Sequence, residues 1–227
     1  MKFIILATLL LAPCLHAAPK TAEEIMLDVR QSYAGQNQKL QGELRDGDSG
    51  RTEPLELTMG NQAMNFLFTN PPAETIRLDL NTSPARLYQV RNGTSRQVPA
   101  SQLGNKVRGM DFNYEDLSLA FLYWPRPQLM GEGRVSAQKC WIVRVMNPGK
   151  EGPYYAVDIW VHQASGGAAK MAAYDRSSKI IKRYEVTKIQ KVNGANALKE
   201  LRVETLDPAT GKIQGRTYMK MNTPAKP

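Results

Sequence analysis

DFNYEDLSLAFLYWP, residues 111–125, contains both the start and the stop signals of a short helix. Asn113 is a favoured N-cap residue, and Asp116, three positions later, can return the hydrogen bond in the manner of a capping box. Pro125 cannot continue a helix and disfavours helical backbone at the residue before it. The sequence therefore predicts a helix that starts after Asn113 and ends at or before Trp124.

This predicted helix is apolar over most of its surface. One stripe follows the helical spacing i, i+3, i+4 and i+7 and consists of Leu117, Ala120, Phe121 and Trp124. Tyr114 extends the stripe by one turn towards the N-terminus. A helix with so little polar surface must be covered on most sides, so the rest of the chain has to supply an apolar surface for it.

The N-terminus has the layout of a secretory signal, with a basic residue, an apolar run and small residues before Pro19. We expect cleavage after Ala17, which makes residues 1–17 a signal peptide and the protein periplasmic. Acylation of Cys14 is the alternative, but the proline before it replaces the small residue that lipoprotein processing normally requires. We therefore do not expect a lipid anchor.

Residues 18–222 are long enough for a single domain with a sizeable core, and residues 223–227 are predicted to be a disordered tail. Once the signal is removed, Cys140 and His162 are the remaining cysteine and histidine. One residue of each type cannot build the usual zinc or copper sites, so we expect no metal and no cofactor.

The formal net charge of +9 comes from basic residues that are scattered along the chain rather than gathered in one block. Export argues against nucleic acid as the partner of such a surface. Anionic lipid headgroups or an acidic protein would suit it, and an ordinary solvated basic face is an equally good interpretation.

Most of the chain has the two-residue period of half-buried strands. Leu55, Leu57 and Met59 alternate with polar residues, and Asn92-Gly93 is a tight-turn signal between two such runs. We predict about eleven antiparallel strands in a mainly β (α+β) fold, with an N-terminal helix and the central helix. These strands are expected to form one strongly curved sheet or an unclosed barrel. The methionine-rich interior suits either a cavity for apolar ligands or an ordinary core.

A hydrolase is a second class of function to consider. Ser165 follows His162 closely, and Asp158 and Asp175 are near them in the sequence. However, the chain has no Gly-x-Ser-x-Gly elbow, and Ser165 lies in a predicted turn where serine is common for backbone reasons. We therefore expect no enzymatic activity.

Three runs of sequence resemble periplasmic outer membrane lipoprotein-sorting proteins, the LolA/LolB-like carriers, and in particular an uncharacterised branch of that group. The runs are GMDFNYEDL with FLYWP (109–117 and 121–125), GPYYAVDIWV (152–161), and MAAYD with IKRYEV (171–175 and 181–186). With the N-terminal helix and the closing strands, the resemblance covers nearly the whole mature chain. No single run is a catalytic signature.

The resemblance implies an unclosed antiparallel barrel whose apolar concave side accepts acyl chains beneath a helical lid. It further implies a non-enzymatic, monomeric carrier that receives lipoprotein acyl chains or another lipid from an inner-membrane exporter and passes them to an outer-membrane acceptor. We predict that the following residues line or close the cavity: Leu57, Phe66, Phe68, Leu78, Tyr114, Leu117, Phe121 and Trp124.

Two alternatives use the same residues. In the first, the aromatic side chains of the helix are the hot spot of a non-catalytic envelope interaction module. In the second, the helix is only the core of a small barrel that has no cavity. The sequence does not separate these from a carrier, because all three require the same apolar residues.

Overall fold

The computed structural model describes residues 20–222 except 35, 36, 83, 150 and 193. The predicted signal peptide with Cys14 and the predicted tail at 223–227 lie outside the described residues. The fold is mainly β and consists of one antiparallel sheet that does not close into a barrel. The strands are β1 (Gln38–Asp46), β2 (Thr52–Gly60), β3 (Ala63–Phe68), β4 (Glu74–Asp79), β5 (Arg86–Arg91), β6 (Thr94–Gln97), β7 (Gln128–Val135), β8 (Gln138–Met146), β9 (Ala156–His162), β10 (Ala168–Tyr174), β11 (Ile180–Val192), β12 (Ala195–Leu206) and β13 (Ile213–Asn222).

The order of strands in the sheet is β6-β5-β4-β3-β2-β1-β13-β12-β11-β10-β9-β8-β7. Two meanders, β1–β6 and β7–β13, are therefore joined through the antiparallel pair β1–β13. Strands β6 and β7 are the two free edges of the sheet. Since these edges follow each other in the chain, the connection between them, residues 98–127, has to pass from one side of the open sheet to the other.

The prediction of a mainly β fold with an unclosed antiparallel sheet is confirmed, and the described residues form thirteen strands where about eleven were predicted. The strand β1 has a polar sequence that contains Gly42, so its two-residue period is weak. That glycine permits a close approach: a side-chain carbon there would lie 1.8 Å from the carbonyl oxygen of Lys220. The strand β7 follows two prolines and contains two glycines, features typical of a loop, yet it pairs with β8 along its length.

The N-terminal helix, α1 (Ala22–Ala34), was predicted to exist, and it begins with a capping box. The backbone N–H of Glu24 donates to Thr21 Oγ1 at 3.2 Å, and the backbone N–H of Thr21 donates to a Glu24 carboxylate oxygen at 2.7 Å. Ile25, Met26 and Val29 on the inner side of this helix are fully buried. The helix packs on β8 and on the central segment described next.

The central helix, α2 (Tyr114–Ser118), is shorter than predicted. Leu119 has left-handed backbone (φ 50°), and a 3-10 turn over Ala120–Tyr123 follows. The predicted apolar stripe is therefore not the face of one continuous helix. Ser118 provides the physical reason: its hydroxyl donates to the carbonyl of Glu115 and accepts from the N–H of Ala120, so it competes for the groups that would extend the helix.

One apolar core lies between the inner face of the sheet, α1 and the central segment. In the described part of the chain, no helix is long and apolar enough to cross a membrane.

Candidate functional site

Four of the predicted cavity residues form one apolar patch on the inner face of β2–β4. Leu57 is the cross-strand partner of Phe66, and Phe68 and Leu78 lie on the same face of β3 and β4. Each is at most 5% exposed. The two-residue period places all four side chains on one side of the sheet, as predicted.

The patch is covered by residues 111–124, which we call the cover segment. Leu117, Phe121 and Trp124 belong to the same core as the four strand residues, and Tyr114 packs against it half-buried. The rings of Phe121 and Trp124 pack edge to face with centroids 6.4 Å apart. The structure thus brings all eight predicted residues together. In this conformation the side chains of the cover segment and of the strands pack into one buried apolar core.

The cover segment is held to the other half of the sheet by a buried ion pair that the sequence did not predict. Asp116 completes the capping box with Asn113, and one of its carboxylate oxygens also accepts from Lys182 Nζ at 2.8 Å. The other oxygen accepts from the hydroxyls of Tyr154 and Tyr184. The side chain of Lys182 is 7% exposed and that of Asp116 is 1% exposed. This carboxylate therefore has all its hydrogen bonds made inside the protein.

The two tyrosines stay protonated over the physiological range. Burial raises the pKa of Tyr154 and of Tyr184 well above its usual value, and the charge of Asp116 raises both further. The two hydroxyl oxygens are 2.9 Å apart, and Asn113 Nδ2 donates to Tyr154 Oη at 2.9 Å. Asn113 therefore caps the helix and also fixes one of the donors that bind Asp116.

Glu115, next to Asp116, is also buried in the first turn of α2. Burial, and then the negative charge of Asp116, raise its pKa to about 7. Near neutral pH this carboxyl group is therefore partly protonated.

The start of the cover segment is attached to β12 and β13. The carboxylate of Asp111 accepts from Lys106 Nζ at 3.0 Å and from Thr205 Oγ1 at 3.2 Å, and its backbone N–H donates to Thr217 Oγ1 at 2.9 Å. The carboxylate lies directly on Gly215, where a side-chain carbon would be 2.6 Å from its oxygens. The absence of a side chain at Gly215 therefore makes room for the Asp111 carboxylate against β13.

The end of the cover segment is attached to α1. Arg30 Nη1 donates to the carbonyl oxygen of Leu122 at 2.8 Å, and the guanidinium group lies 5.6 Å from the centre of the Tyr123 ring. These contacts are few and polar, whereas the middle of the segment contacts the sheet through apolar side chains.

The predicted hydrolase residues do not assemble into a triad. His162 Nδ1 is 2.8 Å from Ser165 Oγ, but Nε2 is bonded to an amide oxygen of Gln138 rather than to a carboxylate. Asp158 is instead bound by both nitrogens of the Arg144 fork. Asp175 accepts from backbone N–H groups of its own turn. Among the described residues no group of three or more His, Cys, Asp or Glu side chains could hold a metal ion.

In the hydrogen-bond network that holds the cover segment to the sheet, the sequence indicated the roles of Asn113 and Asp116 but not those of Lys182, Tyr154 and Tyr184. Lys182 and Tyr184 do share one face of a predicted strand, which was the available signal. Nothing local indicated that this face points inward, because a lysine on a strand normally faces solvent.

Comparison with known proteins supports the family resemblance at the level of the fold. A family model described as an uncharacterised protein matches residues 60–225, which is most of the chain. No curated protein matches it in sequence.

Three solved structures have the same fold. A DUF1329 family protein from Desulfovibrio piger is 18% identical with a TM-score of 0.66, and the alignment covers 88% of this chain and 91% of that one. A candidate outer membrane lipoprotein-sorting protein domain from Vibrio parahaemolyticus is 14% identical with a TM-score of 0.69, covering 89% and 92%. A LolA superfamily protein from Nitrosomonas europaea is 16% identical with a TM-score of 0.61, covering 92% and 96%.

Proposed function

Because the chain belongs to this uncharacterised family and has the fold of LolA superfamily proteins, we propose that it is a periplasmic carrier of acyl chains. The acyl chains of a lipoprotein or envelope lipid bind between the inner face of β2–β4 and the cover segment. An inner-membrane exporter supplies the cargo and an outer-membrane acceptor receives it. The protein acts by binding and release rather than by catalysis.

The observation that carries the proposal is the nature of the cover over the apolar patch. A patch of this kind is usually buried by a second sheet or by regular helices. Here it is buried by a segment with five α-helical residues and one 3-10 turn, which is attached by polar contacts near Asp111, Asp116 and Leu122. Such a cover can leave the sheet as a unit while the strands keep their ladder of hydrogen bonds.

The energetics favour a reversible exchange. Leu117, Phe121 and Trp124 uncover strand side chains when they move away, and the acyl chains of a bound cargo bury the same side chains again. Burial of the acyl chains contributes about 0.8 kcal/mol per methylene group, which offsets the apolar contacts that are lost. Closed and loaded states of similar free energy are what a carrier requires.

The exposure of the aromatic residues favours the carrier over the interaction module. A hot spot for a partner protein needs Phe121 and Trp124 at the surface, but they are 1% and 9% exposed. These side chains face the sheet, where a lipid would meet them.

Native mass spectrometry with organic extraction tests the proposal on mature protein purified from the periplasm without detergent. We expect bound acylated species that are released on unfolding. Phe121→Glu should abolish their retention, whereas Leu129→Glu on the exposed edge strand β7 should leave it unchanged, and Phe121→Ala serves if the glutamate variant does not fold. A chain that is free of lipid, and that takes up neither lipid nor acylated peptide, would contradict the proposal.

A further inference from the structure

The wall of the sheet around Asp116 is built to hold an anion. Three donors converge on this one carboxylate: Lys182 Nζ and the hydroxyls of Tyr154 and Tyr184. The donors belong to β11 and to the residue pair before β9, whereas the carboxylate belongs to the cover segment. One side of this contact therefore stays with the sheet when the other side leaves.

The departure of Asp116 would leave a charge without a partner. Lys182 is almost fully buried, and its cross-strand neighbours Ala173 and Thr205 carry no charge that could replace the missing one. Glu115 and Asp111, the nearby acidic groups of the cover segment, would move away together with Asp116. When Asp116 leaves, Lys182 Nζ and the two tyrosine hydroxyls remain on the inner face of the sheet as donors without their acceptor, and an anionic group of the cargo can replace the lost carboxylate.

We propose that Lys182, Tyr154 and Tyr184 bind the acidic headgroup of the cargo, a phosphate or carboxylate, in place of Asp116. This inference rests on the proposed carrier function and makes the preferred cargo an anionic amphiphile. The headgroup occupies the carboxylate position in the half of the sheet formed by β9–β11. Its acyl chains lie on the apolar patch of β2–β4.

The chemistry of the three donors fits this role. An ammonium group and two hydroxyls that converge on two oxygens of one carboxylate can serve two oxygens of a phosphate in the same way. Next to them along the inner face are Met171, Ala173 and Val203, which are buried and apolar. The low polarity of this wall strengthens the hydrogen bonds to an anion. An uncharged headgroup would not neutralise the charge of Lys182.

The test offers mature protein an anionic lipid and its uncharged counterpart, dioleoylphosphatidylglycerol and dioleoylglycerol, and counts bound lipid by native mass spectrometry. Inorganic phosphate alone distinguishes a headgroup from a free anion. We expect the wild-type protein to retain the anionic lipid at least ~10-fold better, as one charge-assisted contact would give. Lys182→Met should remove this preference and still bind dioleoylglycerol.

Two further variants complete the design. Lys188→Met is the matched control, since Lys188 lies on the same strand and pairs with Glu200 at the surface, and it should keep the preference. The pair Asp116→Asn with Lys182→Met removes both buried charges and serves if the single variant does not fold.

Each result decides something different. Three outcomes would overturn the headgroup inference and leave the carrier function in place. The first is equal retention of both lipids by wild-type protein, and the second is a preference for the anionic lipid that survives in Lys182→Met. The third is binding of inorganic phosphate alone as tight as that of the anionic lipid. Failure of wild-type protein to bind either lipid would overturn the carrier function, and the headgroup inference with it.

Discussion

The two halves of the sheet present different inner faces to the same cover segment. The half that contains β2–β4 presents leucine, methionine and phenylalanine side chains and contacts the segment through apolar packing. The half that contains β9–β13 presents Lys182, Tyr184 and Thr217 and holds the segment by hydrogen bonds and an ion pair. Both faces are covered by one stretch of fourteen residues, 111–124.

The difference between the halves assigns them different tasks. Apolar packing is non-directional, so the β2–β4 half can exchange one apolar surface for another at little cost. Hydrogen bonds and buried charges are directional and costly to leave unmade, so the β9–β13 half fixes where the segment sits. An amphiphilic cargo has the same division into acyl chains and headgroup.

The largest expected effect comes from breaking the ion pair on one side. Asp116→Ala leaves Lys182 charged and buried, and we expect the free energy of unfolding to fall by about 3–5 kcal/mol in urea titrations. The double variant Asp116→Asn with Lys182→Met should lose much less than the sum of the single variants, because neither charge remains. Additive losses would show that the two side chains do not act as a pair.

Truncation of an apolar side chain in the β2–β4 half should lower stability without changing the preference for anionic lipid. Leu78→Ala removes a fully buried side chain from the apolar patch, and we expect a loss of about 2–4 kcal/mol in the same titrations. Since no charge is involved, the ratio of anionic to uncharged lipid bound should not change. A change in that ratio, measured by native mass spectrometry, would contradict the division of tasks between the halves.

The pH dependence of stability should report on Glu115. In the unfolded chain this carboxyl group ionises near its ordinary pKa, 4.5, whereas in the folded protein it keeps its proton until about pH 7. Unfolding therefore releases a proton in this window, so the contribution of Glu115 to stability is full below about pH 4.5 and falls by about 3 kcal/mol as the pH rises to 7. Urea midpoints between pH 4.5 and 8 should show this decline in wild-type protein and a smaller one in Glu115→Gln. Identical slopes would contradict the raised pKa.

The smallest effect concerns the cap of α2. Asn113→Ala removes the capping oxygen and the amide that donates to Tyr154, and we expect a loss of about 1–2 kcal/mol. Asn113→Ser keeps a capping oxygen but not the amide, so it should recover about half of this loss. If serine recovers nothing, the bond to Tyr154 rather than the cap stabilises the segment.

Local chemistry made part of the site predictable. The capping box of Asn113 and Asp116 was correctly predicted, because its partners are three residues apart and cap preferences do not depend on the rest of the fold. That the apolar residues of each of the strands β2–β4 share one face could be predicted for a similar reason, since a period of two places them on the same side of the strand. The end of the helix at Ser118 was missed because a serine hydroxyl can either face solvent or compete with the backbone, and packing decides which.

Non-local pairing explains what could not be predicted. The strand β7 has prolines before it and glycines within it, and it is a strand because β8 offers its hydrogen-bonding groups. The contact of Lys182 with Asp116 joins residues 66 positions apart, and neither residue type indicates burial. Only the sheet topology, which brings β11 under the cover segment, places them together.

In the function that we propose, the cover segment must leave the sheet for cargo to bind, and a reversible lock on this segment tests that requirement most directly. A side-chain carbon at Gly215 would lie 2.9 Å from Asp111 Cγ. This is close to the separation of about 3.0 Å between the β-carbon of one cysteine and the sulfur of the other in a disulfide. Asp111→Cys with Gly215→Cys should therefore join the segment to β13 when oxidised, with Cys140 replaced by alanine to avoid mispairing.

Lipid uptake by this variant is measured in the oxidised and reduced forms, with Asp111→Cys alone as the control. We predict that the oxidised double variant binds no lipid, that reduction restores binding, and that the single variant is insensitive to reductant. Equal uptake by the oxidised and reduced forms would contradict the claim, because it would show that acyl chains enter without movement of the cover segment at this end.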